Sequence, residues 1–167
     1  MVVVFAGGVM PYACNSTGKV GNDGARKFVQ QFLDWYVPKA HRDETGRLLK
    51  HTLTLKKSAF SPKLLNDLKE DIAAQSRVKG EIVGIDFDPF LYSQDIARSY
   101  AAGKVIVKGK DLCVEILLVD GKKSKLASTA VVQRVPGRWR FVTFVYGNNS
   151  NLIDILALLK RERDKAP

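Results

Sequence analysis

The sequence has few of the residues that hold metal ions or act as nucleophiles. Its 167 residues include two cysteines and two histidines. His41 and His51 stand ten residues apart with no cysteine nearby, which is not the spacing of a zinc site. The glycine and serine motifs of P-loop enzymes, dinucleotide-binding folds and α/β-hydrolases are also missing. The sequence therefore predicts no cofactor, no metal site and no catalytic residue, and it argues against enzyme chemistry.

The sequence also has no apolar run long enough to cross a bilayer as a helix, so no transmembrane span is expected. The first residues, MVVVFAGGVMPYAC, are apolar and the polar stretch NSTGKVGNDG follows. This order resembles a secretory signal, with Cys14 where a lipoprotein signal places its modified cysteine. A strand-like or disordered tail is the alternative. We expect residues 1–21 to be a leader and linker, and the protein to be periplasmic or bound to the cell envelope, or cytoplasmic if the leader is not a signal.

Acidic residues are outnumbered by basic ones. Lys and Arg number 27 against 17 Asp and Glu, which gives a formal net charge of +10. A basic surface favours anionic partners such as nucleic acid, acidic lipid or cell-wall polymers. The basic residues are scattered, and the aromatic signatures of nucleic-acid modules are not visible. The sequence predicts a protein partner or an anionic envelope component as the partner, and no nucleic acid.

The N-terminal half has the spacing of helices. Phe28, Phe32 and Tyr36 recur every four residues, which predicts a first helix that Pro38 should end near Tyr36. Residues 39–51 are expected to form a loop that leaves room for a helical turn. Ser61 before a proline predicts the start of a second helix that runs to about Gln75. Strand character follows in EIVGIDF and a turn-rich bend in DPFLYSQD.

The C-terminal half changes to the spacing of strands. Four strand candidates follow one another with short polar connections: GKVIVKG, DLCVEILLVD, SKLASTAVVQRV and GRWRFVTFVYG. Such connections join antiparallel neighbours. A last helix is expected from about Ser150. Residues 22–165 therefore predict one α+β domain, in which N-terminal helices pack on a curved antiparallel meander of four to five strands with a C-terminal helix. An open sheet face would also allow a homodimer, and Cys14 and Cys113 leave a disulfide open.

The last strand is rich in aromatic residues. Strict alternation places Trp139 and Phe141 on one face and Phe144 on the other. Rings of this size are expected to pack in the core rather than to bind a ligand. Arg138 and Arg140 are candidate contacts for an anion.

The bend GIDFDPFLYSQD is acidic. Calcium needs several oxygens that converge on one point, and here Phe90 and Tyr92 occupy positions that need ligands. A structural role is favoured, because Asp88 before a proline is an ordinary start of a turn. The alternative function is a small-ligand pocket or an enzyme site between the first helix and the sheet. The residues to test for such a site are Asp34, Tyr36, Asp86, Asp88, Gln94, Asp95, Arg138, Arg140 and Tyr146.

Three stretches together carry a resemblance: FVQQFLDWYV, GIDFDPFLYSQD and GRWRFVTFVYGNNSNLIDILALLKRER. They resemble an uncharacterised family of small bacterial exported proteins in the nuclear-transport-factor-two-like, or cystatin-like, superfamily. The resemblance covers about residues 25–163. It implies a cystatin-like α+β fold and an envelope protein without an agreed activity, since some members resemble periplasmic lipoproteins that dock on envelope assemblies. A non-catalytic envelope binding module is therefore the leading interpretation.

Overall fold

Three helices precede a four-stranded antiparallel sheet and a fourth helix follows it. The computed structural model describes residues 23–43, 46–78, 80–147 and 149–165. The elements are α1 (Asp23–Ala40), α2 (Leu48–Leu55), α3 (Pro62–Gln75), β1 (Tyr100–Lys108), β2 (Asp111–Asp120), β3 (Lys123–Val135), β4 (Arg138–Val145) and α4 (Leu152–Lys165). The sheet order is β1-β2-β3-β4. The predictions of an α+β fold and of an antiparallel meander are confirmed.

The helix boundaries match the sequence prediction in α3 and differ in α1. The Ser61 hydroxyl caps α3 by accepting a hydrogen bond from the backbone N–H of Leu64 at 3.3 Å. The prediction that α1 ends near Tyr36 is wrong, because the helix passes through Pro38. A proline removes one backbone donor, and the carbonyl four residues earlier belongs to the exposed residue Asp34, where water can replace the lost bond.

Two further segments differ from the sequence prediction. Residues 48–51, in the stretch predicted as a loop with room for a helical turn, belong to the eight-residue helix α2, in which Thr52 and Leu53 are buried. The prediction of strand character in residues 81–87 is wrong. Residues 81–87 form no strand, because side chains of α3 bind their backbone instead of a neighbouring strand. Two N–H groups of this segment donate to Gln75 Oε1 at 2.9 and 3.1 Å. None of the described helices has the length and apolar content that a bilayer span requires.

The core is a cluster of aromatic rings between the helices and one face of the sheet. The Phe32 ring lies 4.9 Å from that of Phe141 and 5.2 Å from that of Phe90, measured between centroids. Phe90 in turn lies 5.2 Å from Phe144. All four side chains are buried. Core packing is confirmed for Phe141 and Phe144, whereas Trp139 is partly buried at the margin of the cluster. The rings of the cluster fill the space between α1 and the sheet in which the sequence placed a pocket.

A β-bulge decides which rings of β4 reach this core. Val131 of β3 lies opposite Thr143, but its neighbour Val132 lies opposite Phe141, so one residue of β4 is extra. A bulge shifts the alternation of side chains by one position. Phe141 and Phe144 therefore share a face, with centroids 5.2 Å apart. The prediction that placed them on opposite faces is wrong for this reason.

The other face of the sheet carries a smaller apolar cluster made of Cys113, Val131, Val142 and Val145. Cys113 is disulfide-bonded. Cys14, the second cysteine of the chain, lies outside the described residues, as does the predicted leader and linker. The predictions of a leader and of lipidation therefore stay predictions.

Candidate functional site

The acidic bend is held together by the carboxylate of Asp88. Its Oδ1 accepts hydrogen bonds from the backbone N–H groups of Phe90 and Leu91, both at 2.9 Å. Its Oδ2 accepts a hydrogen bond from the Tyr36 hydroxyl at 2.5 Å. One carboxylate thus caps the bend and ties it to α1. The predicted structural role of the bend agrees with these contacts.

Two more side chains fix the bend to the sheet. The Tyr146 hydroxyl donates to the carbonyl of Pro89 at 2.8 Å, and the Ser128 hydroxyl donates to the carbonyl of Phe90 at 2.6 Å. The Tyr146 ring also stacks on that of Tyr92, with centroids 4.2 Å apart. Tyr92 has a φ of 51°, a left-handed conformation that residues other than glycine rarely adopt. The stacked ring offsets part of the cost of this conformation.

Burial dominates the titration of these groups. It raises the pKa of the Asp88 carboxyl, although the hydrogen bonds from Tyr36 and from two backbone N–H groups oppose that rise. Burial and the nearby Asp88 charge also raise the pKa of the Tyr36 hydroxyl well above its usual value. Burial likewise raises the pKa of the Tyr146 hydroxyl. Both tyrosines therefore remain protonated donors at neutral pH.

The raised pKa of Asp88 gives a pH dependence that can be measured. The folded state holds this proton more tightly than an unfolded aspartic acid, whose pKa is about 3.9. The stability that Asp88 contributes is therefore fully present below that value and is lost as pH rises through the folded pKa. The difference in free energy of unfolding, wild type minus Asp88→Asn, should therefore fall as pH rises above about 3.9.

Urea unfolding at a series of pH values checks this expectation. The Asp88→Asn variant keeps the shape of the side chain but has no titrating group at this position. The other carboxyl groups contribute equally to the pH dependence of both proteins, so their contributions cancel in the difference. A difference that rises with pH would contradict the raised pKa.

A cavity of about 520 Å³ opens beside the bend, between the end of α1, the start of α2 and residues 82–96. Its apolar wall includes Leu48, Leu49 and Phe87. The volume is within the range of small-molecule pockets, roughly 300–1,000 Å³. Four of the predicted ligand-binding residues line it: Tyr36, Asp86, Asp88 and Gln94.

The carboxylates of this cavity mostly hold the chain in place. Both oxygens of Asp88 already accept hydrogen bonds, and Oδ2 of Asp43 accepts one from the backbone N–H of Leu48 at 2.7 Å. Asp86 is exposed. Within the described ranges, no three His, Cys, Asp or Glu side chains gather closely enough to hold a metal ion. The cavity thus combines the exposed carboxylate of Asp86 with an apolar wall.

The remaining predicted residues lie away from the cavity. Asp34 is exposed on α1 and accepts a hydrogen bond from Gln30 Nε2 at 2.8 Å. Asp95 is exposed at the end of the bend. Tyr146 is buried and contacts the bend from the sheet side. Four of the nine predicted residues therefore line one cavity, and ligand binding by any of the nine stays a prediction.

The end of the sheet away from the bend carries exposed basic side chains. The β1–β2 and β3–β4 turns lie side by side there, since Asp111 at the start of β2 is opposite Gln133 near the end of β3. Strands are about 4.8 Å apart, so the two turns are separated by roughly 10 Å. We call this end the cationic rim, and its exposed members are Lys108, Lys110, Arg134 and Arg138.

The two segments that form the cationic rim contain more basic than acidic residues. Residues 106–112 and 133–140 contain one acidic residue, Asp111, whose Oδ1 accepts a hydrogen bond from Gln133 Nε2 at 2.6 Å. Arg140 is set back from the rim and donates through Nη2 to Gln133 Oε1 at 3.4 Å. The two arginines proposed as anion contacts therefore differ, because only Arg138 is exposed. These cations are scattered along the sequence. In an antiparallel meander, however, the first and third turns lie at the same end of the sheet, and this order of hairpins would have predicted that the two turns are neighbours.

Comparison with known proteins finds no matching family model, no matching curated protein and no matching solved structure. The resemblance to the nuclear-transport-factor-two-like superfamily therefore stays a prediction. The function has to be argued from the geometry of the described residues.

Proposed function

We propose that this chain is a non-catalytic binding module of the cell envelope that recognises an anionic envelope component. The observation that carries the proposal is the cationic rim, where four exposed basic residues share one end of the sheet. A cluster of one charge sign raises the local concentration of an oppositely charged partner. The sequence left a protein partner as the other choice, and the excess of positive charge in the rim favours the anionic component.

The location of the proposed module has independent support. Cys113 is disulfide-bonded, and disulfides form and persist in oxidising environments such as the bacterial periplasm. The non-catalytic part of the proposal is supported by Asp88, whose oxygens are engaged in holding the bend.

Charge reversal at the rim should weaken binding of a soluble polyanion. The variant Lys108→Glu with Lys110→Glu changes the net charge at the proposed contact by four units. Its affinity for dextran sulfate at low salt should fall by about tenfold to hundredfold, because attraction to the sulfate groups is replaced by repulsion. The loss is limited to this range because water weakens the interaction between exposed charges. Isothermal titration calorimetry at two salt concentrations measures the effect, and added salt should narrow the gap between wild type and variant.

The matched control is Lys122→Glu with Lys123→Glu, which changes the net charge equally at the opposite end of the sheet. This control should lose much less affinity than the rim variant. An equal loss in both variants would mean that net charge alone attracts the polymer. Wild-type protein that does not bind dextran sulfate at all would refute the proposed function.

A small-ligand pocket is the second candidate, favoured by the cavity of about 520 Å³ beside the bend. Its apolar wall and exposed Asp86 suit a small molecule with an apolar body and a hydrogen-bond donor. The deciding measurement is the unfolding midpoint of Asp88→Ala. A midpoint like that of wild type would contradict the structural role of Asp88 and would favour the pocket over the rim as the functional site.

A further inference from the structure

We infer that the cationic rim docks on the surface of an anionic lipid bilayer, with Trp139 entering the headgroup region. The inference rests on the proposed function, because it names the anionic component that the rim recognises. It is carried by the side chains that accompany the cations. A charged polymer offers nothing for an apolar ring to enter, whereas the headgroup level of a bilayer accommodates the ring of a tryptophan.

The rim combines basic and apolar side chains at one edge. Trp139 is partly buried against the margin of the core, and the rest of its side chain is open to solvent. It lies opposite Arg134 in the β3–β4 hairpin, and the guanidinium carbon is 5.8 Å from the centre of the indole ring. Val107, next to Lys108 on the edge strand, is 36% exposed. Tryptophan is enriched where membranes meet water, because its ring is apolar on one side and polar at its edge. Basic residues beside it attract anionic headgroups.

The direction of α1 agrees with this orientation. The Phe28 ring lies 4.7 Å from Phe141 in the middle of β4, whereas Tyr36, two turns later, reaches Asp88 in the bend. The first residues of α1 therefore extend from Phe28 towards the rim end of the sheet, at about 1.5 Å per residue. The bend and its cavity lie at the other end of the sheet, so they would face away from a bilayer that the rim contacts.

Nucleic acid offers phosphates to the same cations but fits the rim less well. Proteins that bind single strands stack successive bases on several aromatic side chains. In residues 106–112 and 133–140 the rim end has one aromatic residue, Trp139. One indole with flanking cations is better suited to a headgroup layer than to a row of bases.

Fluorescence of Trp139 tests the inference. The chain has two tryptophans, so the variant Trp35→Phe leaves Trp139 as the single reporter. Trp35 lies beneath the ammonium groups of Lys39 and Lys56, and phenylalanine preserves a ring at that position. On vesicles of phosphatidylglycerol and phosphatidylcholine in equal parts, the emission should shift to the blue and be quenched by brominated acyl chains. Vesicles of phosphatidylcholine alone should change neither signal.

The two charge-reversal pairs complete the experiment. In the Trp35→Phe background, Lys108→Glu with Lys110→Glu should lower vesicle binding by about tenfold to hundredfold. Lys122→Glu with Lys123→Glu should retain most of the blue shift. Circular dichroism confirms that each variant is folded.

The outcomes separate this inference from the proposed function. Binding to dextran sulfate without binding to the anionic vesicles would overturn the lipid partner and leave the proposed function standing. Vesicle binding without any change in Trp139 emission would overturn the docking orientation. A preference for duplex DNA over vesicles would identify phosphates of nucleic acid as the partner. Failure to bind any of these polyanions would refute the proposed function as well.

Discussion

Replacing Asp71 with alanine is expected to lower the free energy of unfolding by about 3–5 kcal/mol, the cost of breaking one partner out of a buried ion pair. Asp71 is 3% exposed. Its Oδ1 accepts a hydrogen bond from Arg163 Nη1 at 2.6 Å, and its Oδ2 accepts one from the backbone N–H of Ile85 at 2.9 Å. Alanine would leave the largely buried guanidinium without its carboxylate and the Ile85 N–H without an acceptor. Urea unfolding followed by circular dichroism measures the change.

A second ion pair between the same two helices supplies the control. Lys160 Nζ lies 2.7 Å from Glu70 Oε1, and both side chains are about half exposed. The Lys160 ammonium lowers the pKa of Glu70, but water screens this pair. Glu70→Ala should therefore leave the urea midpoint close to that of wild type. Equal shifts for Glu70→Ala and Asp71→Ala would contradict the special role of the buried pair.

The double variant Asp71→Leu with Arg163→Met sharpens the same test. Replacing both members of a buried pair by apolar side chains removes the unpaired charge, so much of the lost stability should return. A double variant no more stable than Asp71→Ala would indicate that the bond to the Ile85 N–H, rather than the ion pair, carries the stability.

The same carboxylate explains a glycine in the neighbouring segment. A Cβ added at Gly84 would lie 2.7 Å from Asp71 Oδ2. Asp71 cannot yield easily, since Arg163 and Ile85 hold both of its oxygens. The backbone of this segment approaches α3 so closely that only glycine fits there.

Local patterns predicted most of the fold. Period-two alternation and short polar turns identified all four strands, and a capping serine before a proline located α3 within a residue. The failures have non-local causes. The bulge in β4 depends on how β3 pairs with it, and the segment 81–87 is held by side chains of α3 rather than by a strand. Neither cause leaves a periodic signal in the segment itself.

The candidate sites were harder to predict than the fold. The sequence pointed to the acidic bend and to Tyr36, but it gave no sign that the Tyr36 hydroxyl and the Asp88 carboxylate, 52 positions apart, hydrogen-bond to each other. The buried pair of Asp71 and Arg163 spans 92 positions and was missed entirely. The cationic rim was missed because its members come from two separate hairpins. Residues that meet only in the folded chain require the topology before their chemistry can be interpreted.

Replacing Asp88 with alanine should lower the free energy of unfolding by about 2–4 kcal/mol. Three donors lose their acceptor at once: the backbone N–H groups of Phe90 and Leu91 and the hydroxyl of Tyr36. Each buried donor without a partner costs about 1–3 kcal/mol. The adjoining cavity lets water reach part of the site, so the total should be smaller than the full sum. Relief of the buried charge also offsets some of the loss, because burial raises the pKa of this carboxyl.

Asp95→Ala is the matched control, since it removes an exposed carboxylate from the same bend. Its urea midpoint should stay close to that of wild type, and hydrogen exchange at Phe90 and Leu91 should accelerate only in Asp88→Ala. That pattern would establish that the bend stabilises the packing of α1 against the sheet. Equal midpoints for the two variants would contradict it, because a carboxylate that three donors do not need for stability is available to bind a ligand.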